Sequence, residues 1–313
     1  MIECMGTTMG NIGYTVKYLS STGINYGDSI DHLLKVWNKS LSTYIPDSEI
    51  SRFNRGTDCF RFESTYFLPV IRMAGEVFEK TNGAFDPTVG PLVNAWGFGP
   101  DKSMTPDSTR VDSLKAFVGY QKITFNDTMV CKSTPGVQLD FSAIAKGYAV
   151  DVVTEFLAQR GIKSSLVEIG GEVVCKGTKL KGEPWRTAIE DPTVAIYERR
   201  TLAVANLIDK AVATSGNYRN YYVRDGKTYA HSIDPSTGYP TMHELLSSSV
   251  FAENCMKADA YATAFMVMGV EKSMEILEND ATLDAFLIYR GDNGEILTYV
   301  TPGIAGQIEK IEE

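Results

Sequence analysis

Apolar positions recur at helical spacing in three stretches of the chain. Ile30, Leu33, Leu34, Trp37 and Leu41 predict an amphipathic helix over Ser29 to Leu41, and Phe67, Val70, Ile71, Ala74, Val77 and Phe78 predict a second over Glu63 to Lys80. A third is expected over Leu139 to Arg160, with Ile144, Tyr148, Val152, Phe156 and Leu157 on one face and Gly161 where a left-handed C-terminal cap belongs. Ser164 to Ile169 and Glu172 to Lys176 read as short strands around Gly170-Gly171. Ala285 to Arg290 and Glu295 to Val300 read as a hairpin closed by Gly291-Asp292-Asn293-Gly294. Helices and strands are interspersed, and no low-complexity or Pro/Ser-rich linker separates one half from the other. The pattern predicts the α+β class and one compact unit.

Composition narrows the function classes. With 43% hydrophobic and 11% aromatic residues the 313-residue chain can build a folded core. Its 30 Lys+Arg against 39 Asp+Glu, a net charge of −9 without any basic run, argue against nucleic acid as a partner. The most apolar stretch, Ala258 to Val270, carries Asp259 and falls short of the roughly 20 residues that span a bilayer, so no transmembrane segment is expected. No charged start followed by an apolar run marks a signal peptide; Cys4 stands where a processed lipoprotein carries its acylated Cys, but the preceding apolar run is missing. Cys4, Cys59, Cys131, Cys175 and Cys255 are odd in number, widely spaced and free of CxxC, which disfavours a disulfide scaffold or a structural zinc and reads as small buried hydrophobes.

Neither GxGxxG after a strand nor GxxxxGK[ST] is present, and His32, His231 and His243, the only histidines, exclude HExxH. A hard ion held by oxygen remains open. Asp259 and Thr263 lie four residues apart in an apolar helical run, so their oxygens can aim at one point, and a bound Mg²⁺ would satisfy the buried carboxylate. A helix-start Asp with a Thr bonded to its own helix fits the same residues. The Gly83 to Gly99 loop offers Phe85, Trp96 and Phe98 either as flat surfaces for a planar ligand or as its own packing. Asp140 stands at a helix start with Lys146 within two turns, either an anion site or an N-cap with a solvated Lys. His231, beside the Asp234-Pro235-Ser236-Thr237-Gly238 turn, can take a proton near neutral pH or be a structural His; His32 and His243 lack comparable surroundings.

These segments, in this order, resemble the FAD:protein FMN transferases of the ApbE family. The resemblance runs from about Gly6 to Gly303 and includes Thr8-Met9-Gly10, Pro46 to Asn54, Gly83 to Gly99, Leu139 to Asp151 and Glu168 to Glu172. It continues through Trp185 to Pro192, Ala213 to Tyr218, His231 to Pro240 and Ala258 to Gly269. It implies one ApbE-like domain over residues 5–305 with a flavin-binding cleft, and transfer of the FMN half of FAD onto a Thr hydroxyl of a target flavoprotein, a respiratory or reductase subunit, with release of AMP. A Mg²⁺-dependent FAD pyrophosphatase and a non-catalytic FAD carrier are the alternatives.

Carried over residue by residue, the resemblance implies Mg²⁺ on Asp259, Thr263 and the Ala143 carbonyl, with His231 as catalytic residue. FAD contacts fall on Met9, Tyr44, Ala84, Phe85, Asp86, Asp140, Lys146 and Ile233. Two departures stand out. Met9-Gly10-Asn11 lacks the Thr common after that Gly, with Met5-Gly6-Thr7 as a competing match, and Ser232 and Ser236 replace the Ile and basic residue common around the His231 turn. The family resemblance implies work outside the cytoplasm, often with a lipid-anchored precursor.

Overall fold

The structure, a computed structural model, describes residues 1–100, 106–194, 198, 200–217, 221–224, 227–241 and 243–311. Tyr218, the last residue of one motif block, lies outside them. The chain forms two compact units, one of Met1–Leu34, Lys146–Asn220 and His243–Glu313, the other of Lys35–Ala145 and Tyr221–Met242.

The first unit is built on an eight-stranded sheet whose spatial order follows the chain: Ile2–Thr8, Ile12–Tyr18, Ser165–Ile169, Glu172–Lys176, Lys210–Gly216, Leu245–Ala252, Asp284–Arg290 and Ile296–Val300. Every neighbouring pair is antiparallel. Its central strands are covered on both faces. On one, Val173, Val212, Phe251, Phe286 and Ile288 pack with Trp185, Ala203, Ala205 and Leu207 from a three-stranded sheet of Trp185–Glu190, Thr201–Leu207 and Ile308–Lys310. On the other lies the helix Cys255–Met268, against Lys210–Gly216 and Leu245–Ala252. That position explains its composition: a helix apolar all round is stable where every face is buried, and Ala258, Ala260, Tyr261, Ala262, Ala264, Phe265 and Met266 are all buried. It ends where the Gly269 N–H returns to the Phe265 carbonyl, with Gly269 at φ +80°.

The second unit carries the helices Glu49–Arg55, Phe67–Lys80, Gly90–Ala95 and Ser108–Lys115, and a three-stranded sheet of Cys59–Arg61, Met129–Lys132 and Ile123–Phe125. One of its cores joins Leu92, Trp96, Val111, Leu114, Val118 and Ile233. Phe67 anchors another, stacked on Phe62 at 5.2 Å and edge-on to Phe141 at 5.6 Å.

Predicted and observed elements agree in kind, and the helix starts differ for identifiable reasons. The first helix runs Gly27–Leu41. The second starts at Phe67, because the buried Glu49 accepts the Glu63 and Ser64 N–H groups at 2.6 and 3.0 Å and holds that stretch out of the helix. The third starts at Ala145 instead of Leu139. Its expected stop is present: Gly161 has φ +78° and the Ile162 N–H reaches the Leu157 carbonyl at 3.1 Å. The predicted hairpin pairs Asp284–Arg290 with Ile296–Val300.

Cysteine usage departs from expectation. Cys4, Cys175 and Cys255 are buried free thiols, but Cys59 and Cys131, directly opposite on adjacent antiparallel strands, form a disulfide across 72 residues. Spacing along the chain carries no information about register between strands, so the pair was invisible in one dimension. Closing a loop of that length restricts the unfolded chain, and its loss is expected to cost about 2–4 kcal/mol. Chemical denaturation of the protein with and without reductant, and of Cys59→Ser/Cys131→Ser, measures this; an unchanged midpoint would refute the contribution.

Candidate active site

Asp259 is the fifth residue of the helix Cys255–Met268 and is 2% exposed. Its Oδ2 accepts the Gly147 N–H at 2.9 Å. In an uninterrupted helix that N–H would bond the Ala143 carbonyl; turned to Asp259, it leaves the helix to begin at Ala145 and the Ala143 carbonyl without its helical donor. Only glycine allows the approach, because a Cβ on residue 147 would stand 2.2 Å from the Cys255 carbonyl oxygen and 2.8 Å from the Asp259 Cβ. One turn along, Asp151 accepts the Cys255 and Met256 N–H groups, both at 2.8 Å, and so caps the other helix. Burial pushes the Asp151 carboxyl up to about 7 against the pull of those two amides.

Lys146 donates to Glu172 Oε1, and Glu172 is 1% exposed at the start of its strand. Burial alone would lower the Lys146 ammonium, but the Glu172 and Asp259 carboxylates outweigh it and hold it above the ordinary lysine range. Burial raises Asp259, with Lys146 and the Gly147 N–H acting against it. Glu172 Oε2 is buried without a hydrogen-bond partner. Lys146 is therefore not a solvated lysine, its ammonium being held by Glu172. Met9 sits at the tip of the Ile2–Thr8/Ile12–Tyr18 hairpin with φ +48°, an uncommon conformation for a side-chain-bearing residue. The tip end of that hairpin meets the Gly170 turn: a Cβ on Gly170 would lie 2.7 Å from Ile12 Cγ2 and 3.6 Å from Lys146 Cδ.

Thr263 Oγ1 is 3.1 Å from Ser215 Oγ on the strand Lys210–Gly216. Among the described residues no group of three or more His, Cys, Asp and Glu could hold a metal, so a site here draws on hydroxyl and carbonyl oxygens as well. Two buried carboxyls, Asp259 and Glu172, share the one ammonium of Lys146, and Glu172 Oε2 has no hydrogen-bond partner. This hard, oxygen-rich donor set fits Mg²⁺.

In the second unit, Asp140 follows a clamped stretch. Asn54 takes the Leu139 N–H at 2.7 Å and donates to its carbonyl at 2.8 Å, the Asp140 N–H bonds the Pro87 carbonyl at 2.7 Å, and Lys132 holds the Val137 carbonyl at 2.7 Å. Asp140 Oδ1 accepts the Ser142 N–H at 2.8 Å, capping the turn before Ala145, and Ala143 lies within that turn. Tyr44 is 64% exposed and donates to the Phe98 carbonyl at 3.4 Å; partial burial and the Asp140 carboxylate raise its phenol. The Phe98 ring meets His231 edge-on at 6.4 Å. Asp234 fixes the turn beyond His231 by accepting the Ser236 N–H and hydroxyl at 2.8 and 2.7 Å, Trp96 donates to the Gly238 carbonyl at 2.8 Å, and Ile233 is buried against the Trp96 core.

The Gly83 to Gly99 loop divides between its two readings. Phe85 and Trp96 are buried packing, and Asp86 is buried too, accepting the Thr88 N–H and hydroxyl at 2.8 and 2.6 Å, with burial raising its carboxyl. Ala84 is half-buried, and Phe98 faces His231. His243 is structural, bonded to the Val267 carbonyl at 2.7 Å. Gly147, Asp151, Glu172 and Ser215 were not singled out from sequence, although all four lie within the motif blocks. Their roles appear only once strands and helices are paired.

The ApbE family model matches residues 5–287. A curated FAD:protein FMN transferase of Vibrio cholerae is 41% identical over 300 residues, 94% of this chain and 89% of the relative. One from Haemophilus influenzae is 42% identical over 307 residues, 94% and 88% of the two chains. Among solved structures, the flavin transferase ApbE from Vibrio cholerae aligns with a TM-score of 0.88 at 38% identity, over 98% of each chain. With both sequence and backbone matched over nearly its whole length, the chain belongs to the ApbE family.

Proposed function

We propose that this protein is a Mg²⁺-dependent FAD:protein FMN transferase that moves the FMN half of FAD onto a threonine hydroxyl of a target flavoprotein. The carrying observation is the buried Asp259, held by the Gly147 N–H beside the Lys146–Glu172 pair, in a chain whose relatives bear that name. Asp259, Thr263 and the Ala143 carbonyl would hold the ion, and Gly147 supports this by withdrawing the donor that would otherwise occupy the carbonyl. When bound, Mg²⁺ neutralises charge on the pyrophosphate and favours its displacement.

His231 would take the proton of the incoming hydroxyl as its oxygen bonds to the FMN phosphorus, while the bond from that phosphorus to the bridging oxygen breaks and AMP departs with it. Lys146, kept charged by Glu172, would stand by the phosphates. Tyr44, Met9, Ala84, Phe85, Asp86, Asp140 and Ile233 are read as the flavin-nucleotide contacts. The family match over residues 5–287 supports the reading of one functional domain over residues 5–305. The Cys59–Cys131 disulfide supports an oxidising, extracytoplasmic compartment. Among the described residues no helix is long and apolar enough to cross a membrane.

Incubation with FAD, Mg²⁺ and a flavoprotein bearing an acceptor Thr is expected to add the mass of FMN less water to the acceptor. Free FMN and AMP in equal amounts, with no adduct, would instead identify a pyrophosphatase, and FAD binding without AMP a carrier. Asp259→Ala is expected to abolish the metal-dependent reaction. His231→Ala should slow transfer by about 10²–10⁴-fold while FAD still binds; wild-type turnover in either variant removes that residue from its role. Gly147→Ala is expected to lose about 1–3 kcal/mol of stability through the forced separation of the two helices, read as a lower denaturation midpoint, and an unaltered midpoint would show that the contact gives way freely.

A further inference from the structure

The two strands beneath the helix Cys255–Met268 present mostly small apolar side chains to it: Ala211 and Ala213 from one, Val250 and Ala252 from the other. Ser215 and Ser248 break that pattern. They are direct partners in the antiparallel register, Ser215 opposite Ser248, and alternation along each strand puts them on the same helix-facing side. Ser215 Oγ is 3.1 Å from Thr263 Oγ1, and the Ser248 hydroxyl is fully buried without a hydrogen-bond partner.

An alcohol that ligates a cation does so through an oxygen lone pair and keeps its proton, which then has to be donated elsewhere. Ser215 is the acceptor placed to receive it. We infer that Ser215 is a positioning residue for the metal ligand Thr263: it accepts a hydrogen bond from the Thr263 hydroxyl, fixes that side chain's rotamer and turns its lone pairs to the ion. This rests on the reading of Thr263 as a Mg²⁺ ligand. Packing alone would be served by alanine, as it is at the neighbouring positions of the same face.

The test is Mn²⁺ affinity, read by electron paramagnetic resonance of free Mn²⁺ titrated into the full chain with FAD present and no acceptor protein. Ser215→Ala is expected to weaken Mn²⁺ binding about 10–100-fold. If that variant does not fold, the isosteric pair Ser215→Thr and Ser215→Val decides, with the hydroxyl-bearing variant staying within about threefold of wild type and the other falling as the alanine variant should. Ser215→Ala added to Thr263→Ala should weaken binding no further than Thr263→Ala alone, because Ser215 acts through Thr263. Weakened binding in Thr263→Ala but wild-type affinity in Ser215→Ala, or in Ser215→Val, overturns the inference and leaves the ligand reading intact. Wild-type affinity in Thr263→Ala and Asp259→Ala overturns both.

Discussion

The hydrogen bond from the Gly147 N–H to Asp259 governs much of what surrounds it. A carboxylate 2% exposed inside an apolar helix is costly unless something pays for its desolvation, typically several kcal/mol. Here a main-chain amide supplies part of the compensation, and that choice has structural consequences. The amide has to come from a helix that lies against the Cys255 carbonyl, so residue 147 cannot carry a Cβ. Because the amide leaves its own helical partner, the helix starts at Ala145 and the turn before it is held by Asp140. Asp151 then clamps the same two helices one turn on, accepting two amides of the helix that carries Asp259.

The charges around that bond are unbalanced in one direction. Lys146 is committed to Glu172, and Asp259 lies within electrostatic reach of both. Burial raises the two carboxyls, and the Lys146 ammonium acts against it in both. The same pair keeps Lys146 protonated. A fixed carboxylate partner keeps a lysine charged in a partly desolvated place without depending on solvent. The hydroxyls of Ser215 and Thr263 extend the oxygen-rich region along the helix.

The second unit solves a different problem, that of holding irregular backbone still. Short polar side chains do most of this locally: Asp86 on Thr88, Asp140 on Ser142 and Asp234 on Ser236 each bond the chain two residues on. Long-range clamps add to them. Asn54 binds both main-chain groups of Leu139 as a neighbouring strand would, 85 residues away in sequence, and Trp96 reaches Gly238 across 142 residues. His231 is thus carried on a segment whose far side is pinned by Trp96 and whose near side meets Phe98. Rigidity of this kind would suit the proton-accepting role proposed for His231.

The amino-acid sequence by itself determined the element types, the α+β class and the family, because hydrophobic period, turn residues and ordered motifs are local properties that survive in one dimension. It also placed Asp259 and Thr263 on one helical face, since i, i+4 spacing follows from helix geometry alone. Tertiary structure decided the rest. It paired Lys146 with Glu172 and Thr263 with Ser215, joined Cys59 to Cys131, and moved two helix starts by capturing the amides of Glu63, Ser64 and Gly147 with distant carboxylates. It also turned Phe85 and Trp96 into core while leaving Phe98 beside His231. Each of these outcomes depends on strand register or helix contact between residues far apart in the chain, and no local pattern encodes which distant acceptor or carboxylate will arrive.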